Sequence, residues 1–149
     1  MKTIFLDFDG VLHGEGKDSR GFFEHVDSFC NFMRKYKSEV EIVISSSWRK
    51  EKSLKELREI FHEDIHDMIV GITPGIEKSY SKGGREEEIN MYCKNNNVSE
   101  WVALDDMERF FKVGCKNLIL VDGQIGLNSK DFEELEKFLT KPKPKNKIN

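Results

Sequence analysis

The stretch Lys2–Gly10, KTIFLDFDG, decides the fold. Its segment from Lys2 to Asp9 is short, apolar and rich in β-forming residues, which predicts a buried strand. That strand carries two aspartates, Asp7 and Asp9, at its end. Because side chains alternate along a strand with a period of two residues, we expect both carboxylates on the same side of the sheet.

The rest of the chain alternates between apolar runs and amphipathic segments. A polar loop is predicted from Gly14 to Arg20, followed by a helix whose apolar residues recur from Phe22 to Tyr36. Further strands are predicted at Val40–Ser45 (VEIVIS), Met68–Thr73, Trp101–Asp106 (WVALDD) and Asn117–Asp122 (NLILVD). Further helices are predicted at Leu54–Phe61, at Arg85–Lys94 after a polar loop from Ser79 to Gly84, and from Ser129, as N-cap, to Thr140. This order predicts an α/β fold, with a mostly parallel sheet and helices on both faces.

Polar residues end three of the predicted strands, and ligands of parallel sheets bind at the carboxyl ends of strands. These residues are Asp7 and Asp9, then Ser45 and Ser46, then Asp105 and Asp106. We therefore expect all of them at one edge of the sheet.

Carboxylates at this edge suit one hard cation, which prefers oxygen ligands. Two neighbouring carboxylates repel each other, so without a cation one of them resists ionisation. With Mg²⁺ bound, one aspartate can stay anionic as a nucleophile while the other transfers a proton. The alternative interpretation is a surface turn with two solvated aspartates, and Asp106 alone could be a helix N-cap.

The segment Ser45-Ser46-Ser47-Trp48-Arg49 lies at a predicted strand-to-helix turn. Its hydroxyl and backbone N–H groups suit phosphate oxygens, and the alternative is a capping segment for the next helix. Arg49 either binds a phosphate or is a solvated side chain.

Arg85 opens a predicted helix, where the helix dipole does not favour a cation. It could reach a phosphate from there, with Lys82 as the rival cation. The alternative is a surface arginine that pairs with nearby glutamates.

The bulk composition fits one intracellular domain. The 149 residues suffice for one core, predicted over residues 1–140, and the lysine- and proline-rich tail 141–149 is expected to be disordered. The net charge of −3 does not indicate a surface that binds polyanions globally. The three cysteines, Cys30, Cys93 and Cys115, show no framework spacing, which predicts free, buried thiols in a reducing compartment. With no signal peptide and no membrane-spanning run, we expect a soluble, cytoplasmic protein without a membrane partner.

Together these motifs resemble those of the haloacid dehalogenase (HAD) phosphohydrolase superfamily, over almost the whole chain up to about Thr140. FLDFDGVLH resembles the first motif of that superfamily and IVISSSW the second, while Arg85 in GGREEEI resembles the third and VALDD the fourth. The short chain, with SSSWR, LDD and LVD…GL, is most similar to compact HAD domains of RNA-repair proteins, which resemble the phosphatase half of polynucleotide kinase–phosphatases. The resemblance implies a Rossmann-like three-layer sandwich. No segment has room for a large cap domain.

The resemblance also implies roles for individual residues. Asp7 would attack phosphorus to form a phosphoaspartate, and Asp9 would protonate the leaving oxygen and then activate water. Ser45 or Ser46, together with Arg85, would hold the phosphoryl group. Mg²⁺ would be bound by Asp7, the Asp9 backbone carbonyl and Asp105, with Asp106 in or next to the coordination sphere.

An open site suits a bulky substrate such as a phosphorylated RNA or DNA end, and lysines in the tail could contact backbone phosphates. The alternatives are a phosphatase of a small metabolite, or a metal- or phosphate-binding interaction domain without turnover.

Overall fold

Five parallel strands form the sheet of this protein, whose computed structural model describes residues 1–77 and 80–142. The strands are β1 (Lys2–Leu6), β2 (Val40–Ile44), β3 (Ile69–Ile72), β4 (Trp101–Asp105) and β5 (Leu118–Leu120). They lie in the order β3-β2-β1-β4-β5, so that β1 is central. The predicted parallel α/β sheet is thereby confirmed. Two predictions concern residues outside this range: the predicted polar loop starts at Ser79, and most of the predicted tail, from residue 143 on, is not described.

Helices cover both faces of the sheet, as the Rossmann-like sandwich requires. The α-helices of the described residues are α1 (Val26–Met33), α2 (Leu54–Arg58), α3 (Gly84–Asn96) and α4 (Ser129–Thr140). Short 3₁₀ turns lie at Arg34–Tyr36, Ser47–Lys50, Glu63–Met68 and Glu108–Phe110. Among the described residues there is no cap domain over the carboxyl edge of the sheet.

Alternation along β1 divides the core in two. Ile4 and Leu6 belong to the larger core, which contains the buried residues of α1, α2 and α4. Phe5 faces the other way and packs in a smaller core with Ile89 of α3. The period of two residues in the apolar run therefore has a direct structural counterpart.

The strands end earlier than the sequence predicts. β1 ends at Leu6 instead of Asp9, because the backbone N–H groups of Val11 and Leu12 both donate to the carbonyl of Phe8, at 3.0 and 2.9 Å, and close a turn. Asp7 and Asp9 therefore do not share one strand surface. The other strands are corrected in the same sense: β2 ends at Ile44 instead of Ser45, β4 at Asp105 instead of Asp106, and β5 spans Leu118–Leu120 instead of Asn117–Asp122.

All four helices differ from the prediction at a boundary: α2 ends at Arg58 instead of Phe61, and α3 spans Gly84–Asn96 instead of Arg85–Lys94. The helix predicted from Phe22 begins only at Val26, because Phe23 adopts a left-handed backbone with φ of 62°. The last helix is capped by Asn128, whose side chain accepts hydrogen bonds from two backbone N–H groups, and Ser129 is the first helical residue. The N-cap prediction was thus wrong by one position.

The remaining sequence expectations concern thiols and membranes. The three cysteines are free, with Cys30 buried and the other two half-buried. None of the helices in the described part of the chain combines the length and the apolar character that a membrane crossing needs.

Candidate active site

Three aspartates gather at the carboxyl edge of the sheet. Asp7 lies one residue past β1, and its backbone N–H donates to the carbonyl of Leu104 at 3.1 Å. Asp105 is the last residue of β4, and Asp106 follows it. Each of the three offers a carboxylate oxygen, and these oxygens all lie within 4.8 Å of one another. The central position of β1, next to β4, is what brings residues nearly a hundred positions apart into one cluster.

Arg85 is the buried cation of this cluster. Its Nη1 lies 2.7 Å from Oδ2 of Asp105 and 3.4 Å from Oδ2 of Asp7. The Phe110 ring supports the guanidinium at 5.0 Å. Lys82, the rival in the sequence, is exposed. The arginine that the third motif singles out is therefore the one that reaches both carboxylates.

Burial raises the pKa values of all three carboxyl groups, and repulsion between them adds to this rise for Asp7 and Asp106. Burial, and then the charge of Asp105, raise the pKa of Asp7, while Arg85 counteracts them. Burial also raises the pKa of Asp105 against Arg85. The pKa of Asp106 is raised to about 6 by burial and by the charge of Asp105. With all three ionised, three negative charges face one guanidinium, which leaves an excess of two.

That excess and the donor set fit a divalent cation such as Mg²⁺, because hard cations take carboxylate oxygens. The glycines around Asp106 support this interpretation. A Cβ at Gly10 would lie 2.2 Å from Oδ2 of Asp106, and one at Gly123 would lie 2.4 Å from the same oxygen. Gly10 also has a φ of 78°. Asp106 therefore lies in a slot that other residues would fill.

Asp9 lies apart from the cluster and is held from two sides. Trp48 Nε1–H donates to Oδ2 of Asp9 at 3.0 Å, and His13 Nε2 lies 2.9 Å from Oδ1. The other ring nitrogen of His13, Nδ1, accepts the backbone N–H of Phe23 at 3.2 Å. Since Nδ1 is an acceptor, a neutral His13 carries its proton on Nε2 and donates it to Asp9. Asp9 is thus fixed by two N–H donors.

Exposure also separates the two aspartates of the first motif. The Asp9 side chain is 40% exposed, whereas that of Asp7 is 6% exposed. Of these two carboxylates, that of Asp9 is therefore the more accessible to a leaving group and to water.

The serines of the second motif have different partners. Ser46 Oγ accepts the backbone N–H of Trp48 at 3.2 Å and caps the 3₁₀ turn Ser47–Lys50. Ser45 Oγ is buried and has no hydrogen-bond partner among the described residues. Thr73 follows β3, and its Oγ1 is likewise buried without a hydrogen-bond partner among the described residues. The backbone N–H of Thr73 donates to the carbonyl of Ile44 at the end of β2. A buried unpaired hydroxyl is costly, so a ligand for these two groups would remove that cost.

The structure corrects one of the two expectations for Arg49, that of a solvated side chain. We expected it to bind phosphate or to be solvated, but it is buried and its guanidinium is occupied. Nε donates to the Thr73 carbonyl at 3.0 Å, Nη1 donates to the carbonyls of Ser45 and Ser46 at 3.2 and 2.9 Å, and Nη2 pairs with Glu88. Arg49 therefore anchors the second motif to β3 and α3.

Sequence reasoning missed His13, Trp48 and Thr73 as site residues. His13 and Trp48 stand in the motifs FLDFDGVLH and SSSWR, on which the resemblance rests, so their place in these motifs was the available signal. Thr73 ends the weakest predicted strand, and its place beside Ser45 follows only from the pairing of β3 with β2.

Comparison with known proteins agrees with this geometry. A family model described as the HAD domain in Swiss Army Knife RNA repair proteins matches residues 3–132. A search of curated proteins gives no match. The match covers the whole sheet except Lys2, the first residue of β1, and all of the site residues described above, and the chain belongs to the family of HAD domains found in Swiss Army Knife RNA repair proteins.

Proposed function

We propose that this protein is a Mg²⁺-dependent phosphomonoester hydrolase that acts through a phosphoaspartate on Asp7. One observation carries the proposal: buried carboxylates with Arg85 form one cluster, and a separate, more exposed carboxylate lies beside it, held by two donors. Membership of a HAD family supports a phosphatase-type reaction.

In the first step, an Oδ atom of Asp7 attacks phosphorus, and the bond between phosphorus and the leaving oxygen breaks. Asp9, as the carboxylic acid, gives its proton to that oxygen. We assign the binding of the phosphoryl oxygens to Arg85, which lies 3.4 Å from Asp7, and to the Ser45 and Thr73 hydroxyls, because both are buried without a hydrogen-bond partner among the described residues. Since burial raises the pKa of Asp7, its ionisation depends on Arg85 and on a cation.

In the second step, Asp9 is a carboxylate and takes a proton from water, whose oxygen attacks the phosphorus of the phosphoaspartate. The bond between phosphorus and Asp7 breaks, which releases inorganic phosphate and restores the Asp7 carboxylate. The 40% exposure of Asp9 gives that water a route to it.

Asp7, Asp105 and Asp106 would hold Mg²⁺, with the backbone carbonyl of Asp9 as the further ligand that the family resemblance implies. When bound, the cation neutralises charge on the transferring phosphoryl group. For the substrate we propose phosphorylated RNA or DNA ends, since the matched family belongs to RNA repair proteins and no cap covers the edge among the described residues.

The test is turnover of a panel of phosphomonoesters, including 5′- and 3′-phosphorylated oligonucleotides and small metabolites, with Mg²⁺ and with EDTA. We expect turnover only with the cation, and a covalent phosphoprotein on acid quenching. Asp7→Asn keeps the shape but removes the nucleophile, so it should abolish both signals, whereas Asp67→Asn, an exposed acid beside Met68, should keep both.

Three outcomes decide between the candidates. Turnover by Asp7→Asn at the parent rate would contradict the assignment of the nucleophile. Preference for small esters over oligonucleotides would favour a metabolite phosphatase. Phosphate or Mg²⁺ binding without turnover of any ester would favour an interaction domain.

A further inference from the structure

Phe22 presents an exposed aromatic ring beside the groups that hold Asp9. Its side chain is 75% exposed, and its ring centroid lies 5.1 Å from that of His13 and 6.1 Å from that of Trp48. His13 and Trp48 are the two side chains that bond the Asp9 carboxylate. One side chain therefore separates the Phe22 ring from Asp9.

The backbone on both sides of Phe22 has a positive φ. Gly21, with a φ of 115°, adopts it without strain because it has no Cβ, whereas Phe23, with a φ of 62°, lies in the left-handed region, which costs a non-glycine residue about 1–2 kcal/mol. Such strain clusters at functional sites. Here it turns Phe23 inward, where its ring lies 5.1 Å from Trp48 and its N–H bonds His13, while Phe22 remains outside.

Exposed apolar residues are common, and Val113 is more exposed still, at 87%. Phe22 differs by its place. Its flat ring packs against three other rings, those of His13, Phe23 and Trp48, and two of these belong to the side chains that bond Asp9, so a ligand bound at Asp9 can extend onto the free surface of Phe22. Burial of an aromatic ring stabilises a bound ligand by stacking as well as by removal of apolar surface from water.

We propose that Phe22 is the stacking surface for the base of the terminal nucleotide whose phosphate lies at Asp7. The proposal rests on the proposed function and specifies the substrate within it. A nucleotide places a sugar between phosphate and base, which matches a ring one side chain removed from Asp9. In a phosphotyrosine, by contrast, the ring is bonded directly to the leaving oxygen and would lie at Asp9 itself. Stacking on an aromatic side chain accepts every base, because each has a π-face.

The experiment compares matched trinucleotides that carry the phosphate at the 3′ or the 5′ end, with either a base or an abasic sugar at the phosphorylated residue. For the preferred end, we expect kcat/KM to be about fivefold to a hundredfold higher with the base, mainly through KM. Phe22→Ala should bring this ratio close to one, because it lowers kcat/KM much more for the substrate with the base than for the abasic substrate. Phe22→Tyr should restore the ratio, because it keeps the ring.

Val70→Ala is the matched control, since Val70 is exposed and lies beside Met1 and Ser38, at the amino end of β2. It should keep the parent ratio. The proposal is overturned if the parent shows no preference for the base at either end, or if Phe22→Ala lowers kcat/KM by the same factor on the substrates with and without the base. It is also overturned if Phe22→Ala lowers kcat/KM only on a phosphotyrosine peptide.

Absence of turnover on every ester would count against the proposed function alone. The stacking surface is then tested by the affinity of the labelled trinucleotides, measured by fluorescence anisotropy. A base-dependent affinity that Phe22→Ala removes supports it, and equal affinities for base and abasic ends refute it.

Discussion

Asp7 and Asp9 are only two positions apart, but their carboxyl groups have very different environments. Asp7 is buried among acids, which raises its pKa, and Arg85 counteracts this rise. Asp9 is partly exposed and receives one hydrogen bond on each oxygen. Different environments are how two like carboxyl groups take different roles in one reaction.

The hydrogen bond from Trp48 to Asp9 can be removed while an aromatic ring remains. We expect Trp48→Phe to lower kcat roughly three- to tenfold for ethyl phosphate, with KM little changed, as for the loss of about 1 kcal/mol from one hydrogen bond. For trifluoroethyl phosphate the loss should be smaller, because its better leaving group needs less protonation. Initial rates on the two ring-free esters measure the difference.

Trp101→Phe is the control, because Trp101 packs edge-to-face on Phe5 in the smaller core and does not bond Asp9. It should affect the two esters equally. If Trp48→Phe lowered kcat equally for both, with phosphoenzyme formation rate-limiting, a positioning role toward the acid would be excluded.

At the scale of elements, Arg49 joins the ends of two strands to a helix. Its four donated hydrogen bonds reach the carbonyls after β2 and β3 and the Glu88 carboxylate of α3. The 3₁₀ turn Ser47–Lys50 therefore has a fixed position, and with it Ser45 and Trp48. A planar guanidinium satisfies several acceptors at once, which an ammonium cannot do.

Arg49→Met should therefore be mainly a stability variant. It leaves Glu88 without its arginine partner in the interior, and breaking a buried pair in this way costs about 3–5 kcal/mol. Arg34→Met removes an exposed pair with Asp64 and should lower the free energy of unfolding far less than Arg49→Met, because solvent screens exposed pairs. Urea unfolding measures both. A stable Arg49→Met protein with a raised KM would instead support the phosphate-binding role expected from the sequence.

The same elements show what the sequence could predict. Apolar runs predicted the strands, since the length and periodicity of such runs are local properties, and the alternation of strands with helices predicted that the sheet is parallel. The strand ends were wrong because turn hydrogen bonds, such as those to the Phe8 carbonyl, end β1 before the apolar pattern stops. The expectation of a solvated Arg49 was wrong because its hydrogen-bond acceptors come from residues up to 39 positions away, which no local pattern reveals.

At the scale of the whole molecule, a net charge of −3 hides a concentrated charge at one edge of the sheet. The acids of that edge have raised pKa values because the fold forces them together and buries them. Without a cation, the folded protein is therefore expected to lose stability at pH values at which these acids ionise, and a bound divalent cation should reverse that effect.

Stability should thus depend on pH in opposite ways with and without Mg²⁺. The pKa of Asp106 rises from 3.8 to about 6 on folding, so its contribution is fully present below about pH 4 and is lost as the pH rises through 6. In EDTA, Asp106→Asn should therefore gain on the parent between pH 4 and 7, by on the order of 3–5 °C in Tm, about 1 kcal/mol after allowance for solvent screening. With Mg²⁺ at pH 7.5 the parent should instead have the higher Tm, because only the parent keeps the full set of ligands.

Asp67→Asn, which changes an exposed acid, is the control and should have the Tm of the parent both in EDTA and with Mg²⁺. Thermal unfolding of the three proteins across this pH range measures the effect, and a parent whose Tm is unmoved by Mg²⁺ at pH 7.5 would contradict a metal site at this edge.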